Sequence, residues 1–252
     1  MDLRPAAAAV LTAALLASCA WAPSAAGPDA GEFFDAPDAV ALAEAVAVGD
    51  ADEVARLVSE GADPDAKGEA DLTMLQWAIR VANADGLVAL LDSGADPDLN
   101  GVAGRTPLED TVDVDTTDAV AELMIPLLLE AGADPSGRNT ITGEAPLSVA
   151  CVTSSDAAIG LLVEAGADLD AADFNGSRAL HACARVNRGA QLLVLLEAGA
   201  DPLATLGRGT TFQDFYFGYD RELLNERALA ERDAVIAWLE EHDVPVNPEA
   251  YA

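Results

Sequence analysis

Leu195-Leu196-Glu197-Ala198-Gly199-Ala200-Asp201-Pro202 decides the fold, because its core recurs down the chain. The leucines bury one face of a helix. Gly199 stands where a helix C-cap needs a left-handed residue, which glycine enters without steric cost. Ala200 is small enough to tuck against the last turn. Asp201 can accept from backbone donors freed in the turn, and Pro202 opposes continuation of the helix. Gly-Ala-Asp is found at 61–63, 94–96, 132–134, 166–168 and 199–201, with glycine-to-glycine steps of 33, 38, 34 and 33 residues. A fixed period of this size means stacked like units, each touching only its neighbours. Such a stack offers an extended surface and rarely a catalytic pocket.

A second echo follows each Asp by twelve or thirteen residues: Thr73-Met74-Leu75, Thr106-Pro107-Leu108, Ala145-Pro146-Leu147 and Arg178-Ala179-Leu180-His181-Ala182. Thr106 reads as an N-cap and Pro107 as the first helical residue. The two motifs, in phase, resemble the ankyrin repeat, with its T-P-L-H-x-A start and G-A-D end. The resemblance covers about Asp38 to Val246. It implies an all-α solenoid of five to six helix-turn-helix units with short β-turn loops, and a concave binding face of turn tips and first helices.

Repeat 3 carries about five extra residues, placed around Asp113 to Asp118. The last unit is enlarged over Phe212 to Glu226 and ends Trp238-Leu239-Glu240-Glu241-His242-Asp243-Val244-Pro245 where Gly-Ala-Asp-Pro is usual. The first pair, about Asp38 to Asp65, lacks the T-P-L start. Deviant terminal copies suit caps, which need a polar outer side.

The N-terminus reads as an address. Arg4 precedes the apolar run Ala6 to Ala17, which is long enough for a signal peptide and too short for a membrane span. Leu16-Ala17-Ser18-Cys19 resembles a bacterial lipobox, which implies cleavage before Cys19 and lipid attachment there. Ala20, rather than Asp, favours the outer membrane by analogy with enterobacterial sorting. The plainer alternative is an ordinary secretory signal with Cys19 incidental. The expected organisation is a signal peptide over 1–18, a flexible tether over 19–37 and the repeat domain over 38–247, with residues 1–31 outside the fold.

The chain is very acidic, with 44 Asp and Glu against 13 Lys and Arg and a net charge of −31. That disfavours nucleic acid and anionic lipid surfaces as partners. An apolar fraction of 51% still supplies a core. The acidity suits either solubility in salty surroundings or a partner with a basic surface. Its distribution is uneven. Residues 29–71 hold thirteen acids against Arg56 and Lys67, whereas residues 172–210 hold three acids against Arg178, Arg185, Arg188 and Arg208. Phe212, Phe215, Tyr216, Phe217 and Tyr219 follow at once. Arginine and aromatics concentrate at protein interfaces. The expected partner-binding residues are therefore Phe174, Asn175, Ser177, Arg178, Arg185, Arg188, Arg208 and Tyr216. The competing reading has the arginines neutralising adjacent acidic repeats and the aromatics sealing the cap.

Other chemistry is weakly signalled. Asp96-Pro97-Asp98-Leu99-Asn100-Gly101 opens like a calcium loop, but its twelfth position is Pro107 rather than Glu. The acidic insertion near Asp113 to Asp118 is a better place for a loosely held cation. His181 fills the family's L-H-x-A position, where the resemblance implies a structural role, and His242 has no evident partner. Cys151 and Cys183 read as buried small residues. An oxidising compartment permits a disulfide between them. However, the pair is one position out of phase, and packed helices near 10 Å apart exceed the reach of a bridge. No catalytic constellation, metal set or cofactor motif is recognisable. The expectation is a non-catalytic protein-binding module, lipid-anchored and facing the periplasm in a bacterial envelope, acting as a scaffold or assembly factor or as an immunity-like inhibitor. The alternative is a small-molecule or divalent-cation-binding envelope protein.

Overall fold

The computed structural model describes residues 28–112, 118–153 and 155–251. Among them are twelve α-helices in six pairs: α1 (Pro37–Val48) with α2 (Ala51–Ser59), α3 (Met74–Arg80) with α4 (Ala84–Asp92), α5 (Pro107–Asp110) with α6 (Asp118–Glu130), α7 (Pro146–Thr153) with α8 (Asp156–Glu164), α9 (Ala179–Arg185) with α10 (Gly189–Glu197), and α11 (Phe212–Tyr216) with α12 (Glu226–Glu241). Two rows result. The first helices of successive pairs stack on one another from α1 to α11, and the second helices from α2 to α12. No strand occurs among the described residues; the turns hold two isolated bridges, Lys67 with Thr73 and Leu206 with Thr210.

The capping logic holds in each copy. Gly61, Gly94, Gly132, Gly166 and Gly199 all have positive φ, between 80° and 112°. The next alanine sends its N–H back five residues, from Ala62 to Leu57 and from Ala200 to Leu195, each at 3.0 Å. That bond closes the helix end and buries the alanine. Thr73 and Thr106 cap α3 and α5 by accepting from Gln76 N and Glu109 N, with Pro107 in the first turn. In the last unit Val244 N makes the equivalent bond to Leu239 O at 2.9 Å, with Asp243 in the left-handed conformation instead of glycine.

Both ends of the domain extend beyond the expected 38–247. The tether expected over 19–37 is packed at its C-terminal end: Ala30–Glu32 is a short 3-10 helix, Ala30 and Phe34 are buried, and Phe33 and Phe34 flank Trp77 with ring centroids 5.3 and 5.9 Å away. These aromatics cover the side of α1 and α3 that no other repeat among the described residues shields. At the other end Ala250 is fully buried. The buried Arg232 donates to the carbonyls of Ala250, Tyr219, Phe217 and Glu249, so one guanidinium ties the tail and the α11–α12 loop to α12. The signal peptide over 1–18 and Cys19 lie outside the described residues, as does the repeat 3 insertion at 113–117.

Cys151 and Cys183 form a disulfide with their Cα atoms 4.7 Å apart, which corrects the expectation of two separate buried residues. The offset between them is the reason they meet. Units related by translation present opposite faces to each other, so equivalent positions never oppose. A residue on the forward face of α7 meets one on the backward face of α9, and the one-position shift supplies this. Small neighbours, Ala150, Ala182 and Ala184, let the two helices close to that distance. Bridging a loop of this length stabilises the fold by about 3–4 kcal/mol on the chain-entropy account. Dithiothreitol is therefore expected to lower the thermal midpoint of the wild type and to leave a Cys151→Ala/Cys183→Ala variant unchanged. Identical midpoints for reduced and oxidised wild type would show that the bridge adds nothing.

Candidate functional site

The loops between repeats project as five fingers, each numbered by the repeat it opens: finger 2 near residues 68–72, finger 3 near 101–105, finger 4 near 139–144, finger 5 near 173–177 and finger 6 near 206–210. They are joined at their bases by two ladders. In the first, each Gly-Ala-Asp aspartate caps its own turn: Asp63, Asp96, Asp134, Asp168 and Asp201 accept from the N–H two residues on, at 2.9–3.0 Å. The residue reached there then accepts from the next repeat. Asp65 takes Asp96 N, Asp98 takes Asp134 N, Ser136 takes Asp168 N and Asp170 takes Asp201 N. The calcium-like carboxylates Asp96 and Asp98 are thus turned onto backbone donors. Burial, with Asp134 and Asp96 nearby, raises the Asp98 carboxyl pKa above its ordinary value.

The second ladder has donors. Lys67 Nζ gives to Asn100 O at 2.7 Å, Asn100 Nδ2 to Arg138 O at 3.1 Å, and Arg138 Nη1 to Ala172 O. Ala172 has no donor of its own. Arg178 supplies the missing rung, giving Nη1 to Thr205 O at 3.0 Å and Nε to Asp170 O at 3.1 Å. Arg178 therefore joins repeats 5 and 6, a structural task beside the partner-binding role expected for it.

The remaining expected residues divide. Tyr216 is only 1% exposed and belongs to the cap core, its hydroxyl lodged over Gly189 where a Cβ would come within 2.2 Å. Burial pushes its phenol pKa up. Ser177 is buried and accepts from Arg185 Nη2. Arg188 pairs with Asp156 across repeats 4 and 5 and gives Nε to Gln191 at 3.0 Å. Phe174, Asn175, Arg185 and Arg208 are exposed.

These exposed groups join into one surface. Phe174, 70% exposed, lies on finger 4, where a Cβ on Gly143 would come within 2.7 Å of its ring. Phe174 N also bonds Thr142 O at 3.1 Å. Ile141, 67% exposed, lies in the same way over Gly104 of finger 3. The Arg185 guanidinium sits over the Phe215 ring, 5.5 Å from its centroid, and Tyr219 donates its hydroxyl to Arg185 O. Arg208 stands at the tip of finger 6 between Gly207 and Gly209, both at positive φ. Finger 6 abuts finger 5, with Leu206 Cα 3.7 Å from where a Gly176 Cβ would lie. Ile141 was the residue that sequence reasoning missed. Its signal was an isolated aliphatic side chain in the polar turn Asn139-Thr140-Ile141-Thr142-Gly143.

Below the fingers, Gln76 and Glu109, each three residues after its N-cap threonine, secure the next loop. Gln76 Oε1 accepts from Val102 N at 2.9 Å, and the Glu109 carboxylate accepts from Asn139 Nδ2 at 3.0 Å. His181 is fully buried, accepts from Arg178 N at Nδ1 and meets Phe215 edge to face. Burial lowers its pKa, and the guanidiniums of Arg178 and Arg185 act the same way, so the ring is a neutral structural part.

The family model for ankyrin repeats matches residues 117–205, in three copies. No curated protein sequence matches the chain. Among solved structures, the ankyrin repeat domain of Bcl-3, a member of the IkappaB protein family, is similar at TM-score 0.66 and 24% identity, over 79% of this chain and 85% of that one. The fold is accordingly the all-α ankyrin-repeat solenoid.

One buried acid makes the finger base sensitive to pH. Burial raises the Glu109 carboxyl from its ordinary 4.5 to about 7, and Asn139 only partly offsets this. A folded-state value above the unfolded one gives stability that is fully present below pH 4.5 and lost as pH rises through 7. Glu109→Gln should relieve that loss. Denaturant unfolding should show the variant gaining on the wild type between pH 4.5 and 7.5, by at most about 3 kcal/mol. A stability difference that does not change with pH would show that Glu109 ionises freely.

Proposed function

We propose that this chain is a non-catalytic protein-binding module, lipid-anchored at Cys19 on the periplasmic side of a bacterial membrane. The observation that carries the binding reading is the exposed surface formed by Ile141, Phe174, Arg185, Phe215, Tyr219 and Arg208. A monomer gains nothing by leaving Phe174 and Ile141 in water on adjacent finger tips. Rigid aromatic groups beside arginine are what binding hot spots use. The acids of repeats 1 to 3 would steer a partner with a basic surface towards this face.

The Cys151–Cys183 bridge supports the export part of the reading, because disulfides persist in oxidising compartments. The chain's anchoring would confine binding to a membrane surface. Scaffold and immunity-like inhibitor roles would share this face.

Two experiments test these parts separately. A pull-down from detergent-solubilised membranes should recover one partner with the wild type and lose it with Arg185→Glu, whose thermal midpoint should stay close to wild type. Equal recovery with both forms would move the site off repeat 5. Cys19→Ala should release the protein from the membrane fraction; retention there would end the lipid-anchor reading.

A further inference from the structure

The surface also constrains what must sit on it. The chain has 44 acids for 13 bases, so an arginine close to the backbone should readily find a carboxylate. Arg56, Arg105, Arg188, Arg221 and Arg227 do so. Arg138, Arg178 and Arg232 are committed to carbonyls. Three further described arginines have no carboxylate partner: Arg80, whose guanidinium lies over the Phe33 ring at the N-terminal end, and Arg185 and Arg208, which share the surface of repeats 5 and 6. Arg185 is held in place by uncharged groups only: its Nη2 by Ser177 Oγ, its Nε by His181 O at 3.4 Å and its face by Phe215. It has no carboxylate partner among the described residues. Arg208 has neither a hydrogen bond nor a carboxylate among them, and the glycines on either side hold it at a finger tip. The one acid in the adjoining finger, Asp173, is occupied. Its Oδ1 accepts from Asn175 N and Ser177 N, both at 2.8 Å.

Resting on the protein-binding reading above, we propose that the segment docked on this face presents a carboxylate beside an apolar side chain. The carboxylate, from Asp, Glu or a chain terminus, is clamped between Arg185 and Arg208. The apolar side chain lies against Phe174 and Ile141. A guanidinium already flattened on an aromatic ring and fixed by a hydroxyl loses little freedom when it takes a carboxylate, and charge-assisted pairing is about twice as strong as neutral hydrogen bonding. The rest of the molecule makes this selective. A net charge of −31 repels an acidic protein, so the carboxylate has to arrive on a partner that is basic elsewhere. Such a partner meets attraction from repeats 1 to 3 and one point of opposite sign on repeats 5 and 6.

A peptide array read with the labelled full-length chain in detergent tests this. Lysine-flanked peptides carry a central apolar residue, varied through Ala, Val, Leu, Phe and Trp, followed by Asp, Glu, Asn or Gln. Acid peptides with a large apolar neighbour should bind at least tenfold tighter than their amide counterparts. That preference should collapse in Arg185→Gln and weaken in Arg208→Gln, whose exposed tip position leaves folding untouched. Arg227→Gln, on the exposed side of α12, should keep it. Equal binding of acid and amide peptides, or a preference indifferent to both substitutions, overturns the clamp. If no peptide binds while the pull-down still yields an Arg185-dependent partner, the clamp is wrong and the protein-binding reading stands. If the pull-down also fails, both are wrong.

Discussion

Side-chain to backbone wiring between consecutive turns is the constraint on which the rest of this structure depends. A solenoid has no contacts between distant units, so each junction must specify its own geometry. Helix packing alone leaves the fingers unsupported, because a loop cannot bury its polar backbone without partners. Here each of the four junctions from finger 2 to finger 6 spends one acceptor on an N–H and one donor on a carbonyl of the next turn. Asp65 and Lys67 do this for repeats 2 and 3, and Asp170 and Arg178 for repeats 5 and 6. Such bonds to charged groups are worth about 1.5–3 kcal/mol before solvent screening, and the exposed ones less. Their main effect is directional: they set the register of finger on finger.

The same wiring explains part of the composition. Asp63, Asp65, Asp96, Asp98, Asp134, Asp168, Asp170 and Asp201 serve backbone donors, so these acids are needed whatever the habitat or partner. Setting carboxylates into these turns has a cost, visible in Asp98, whose pKa is raised first by burial and then by the neighbouring Asp134 and Asp96. The ends solve a different problem. Among the described residues no earlier repeat shields α1 and α3, and Phe33 and Phe34 fold back over Trp77. Beyond α12 no further unit exists among the described residues, and the buried Arg232 gathers four carbonyls around one cation. Without a carboxylate beside it, that guanidinium is tolerated because its N–H groups are satisfied and its face rests on Phe217.

Much of the fold was legible because Gly-Ala-Asp and Thr-Pro-Leu encode local bonds: a left-handed cap, a five-residue return bond and an N-cap. The candidate site was legible only in part. Charge segregation along the sequence pointed to repeats 5 and 6, and Phe174, Asn175, Arg185 and Arg208 are exposed there. Sequence could not separate Arg178 from Arg185, since that depends on the absence of a donor at Ala172, one rung away in space. Tyr216 was misread because an aromatic cluster at a cap holds core and surface members at adjacent positions. The disulfide was missed for a geometric reason: equivalent positions in translated units face opposite ways, so being out of phase is a condition for contact and not an objection to it. The packed segment 30–37 carried its signal in Phe33-Phe34, which a flexible tether would not need.

The two ladders also account for where charge is left over. Carboxylates along the turns are drawn to N–H groups, and the cations beside them to carbonyls, so the two sets lie close without neutralising each other. Where both ladders are complete, the charged side chains that form the rungs are committed to the backbone. They diverge at repeat 5, where Ala172 leaves a rung empty and Arg178 is pulled down to fill it. Arg185, about two helix turns further on, finds only a hydroxyl, a carbonyl and a ring, because the nearby acid Asp173 is closing its own finger. Its unneutralised charge thus follows from the local backbone requirements of the stack. A partner then needs no deformation of the protein to use it, since the ring, the hydroxyl and the disulfide-linked helices beneath already hold the guanidinium in place.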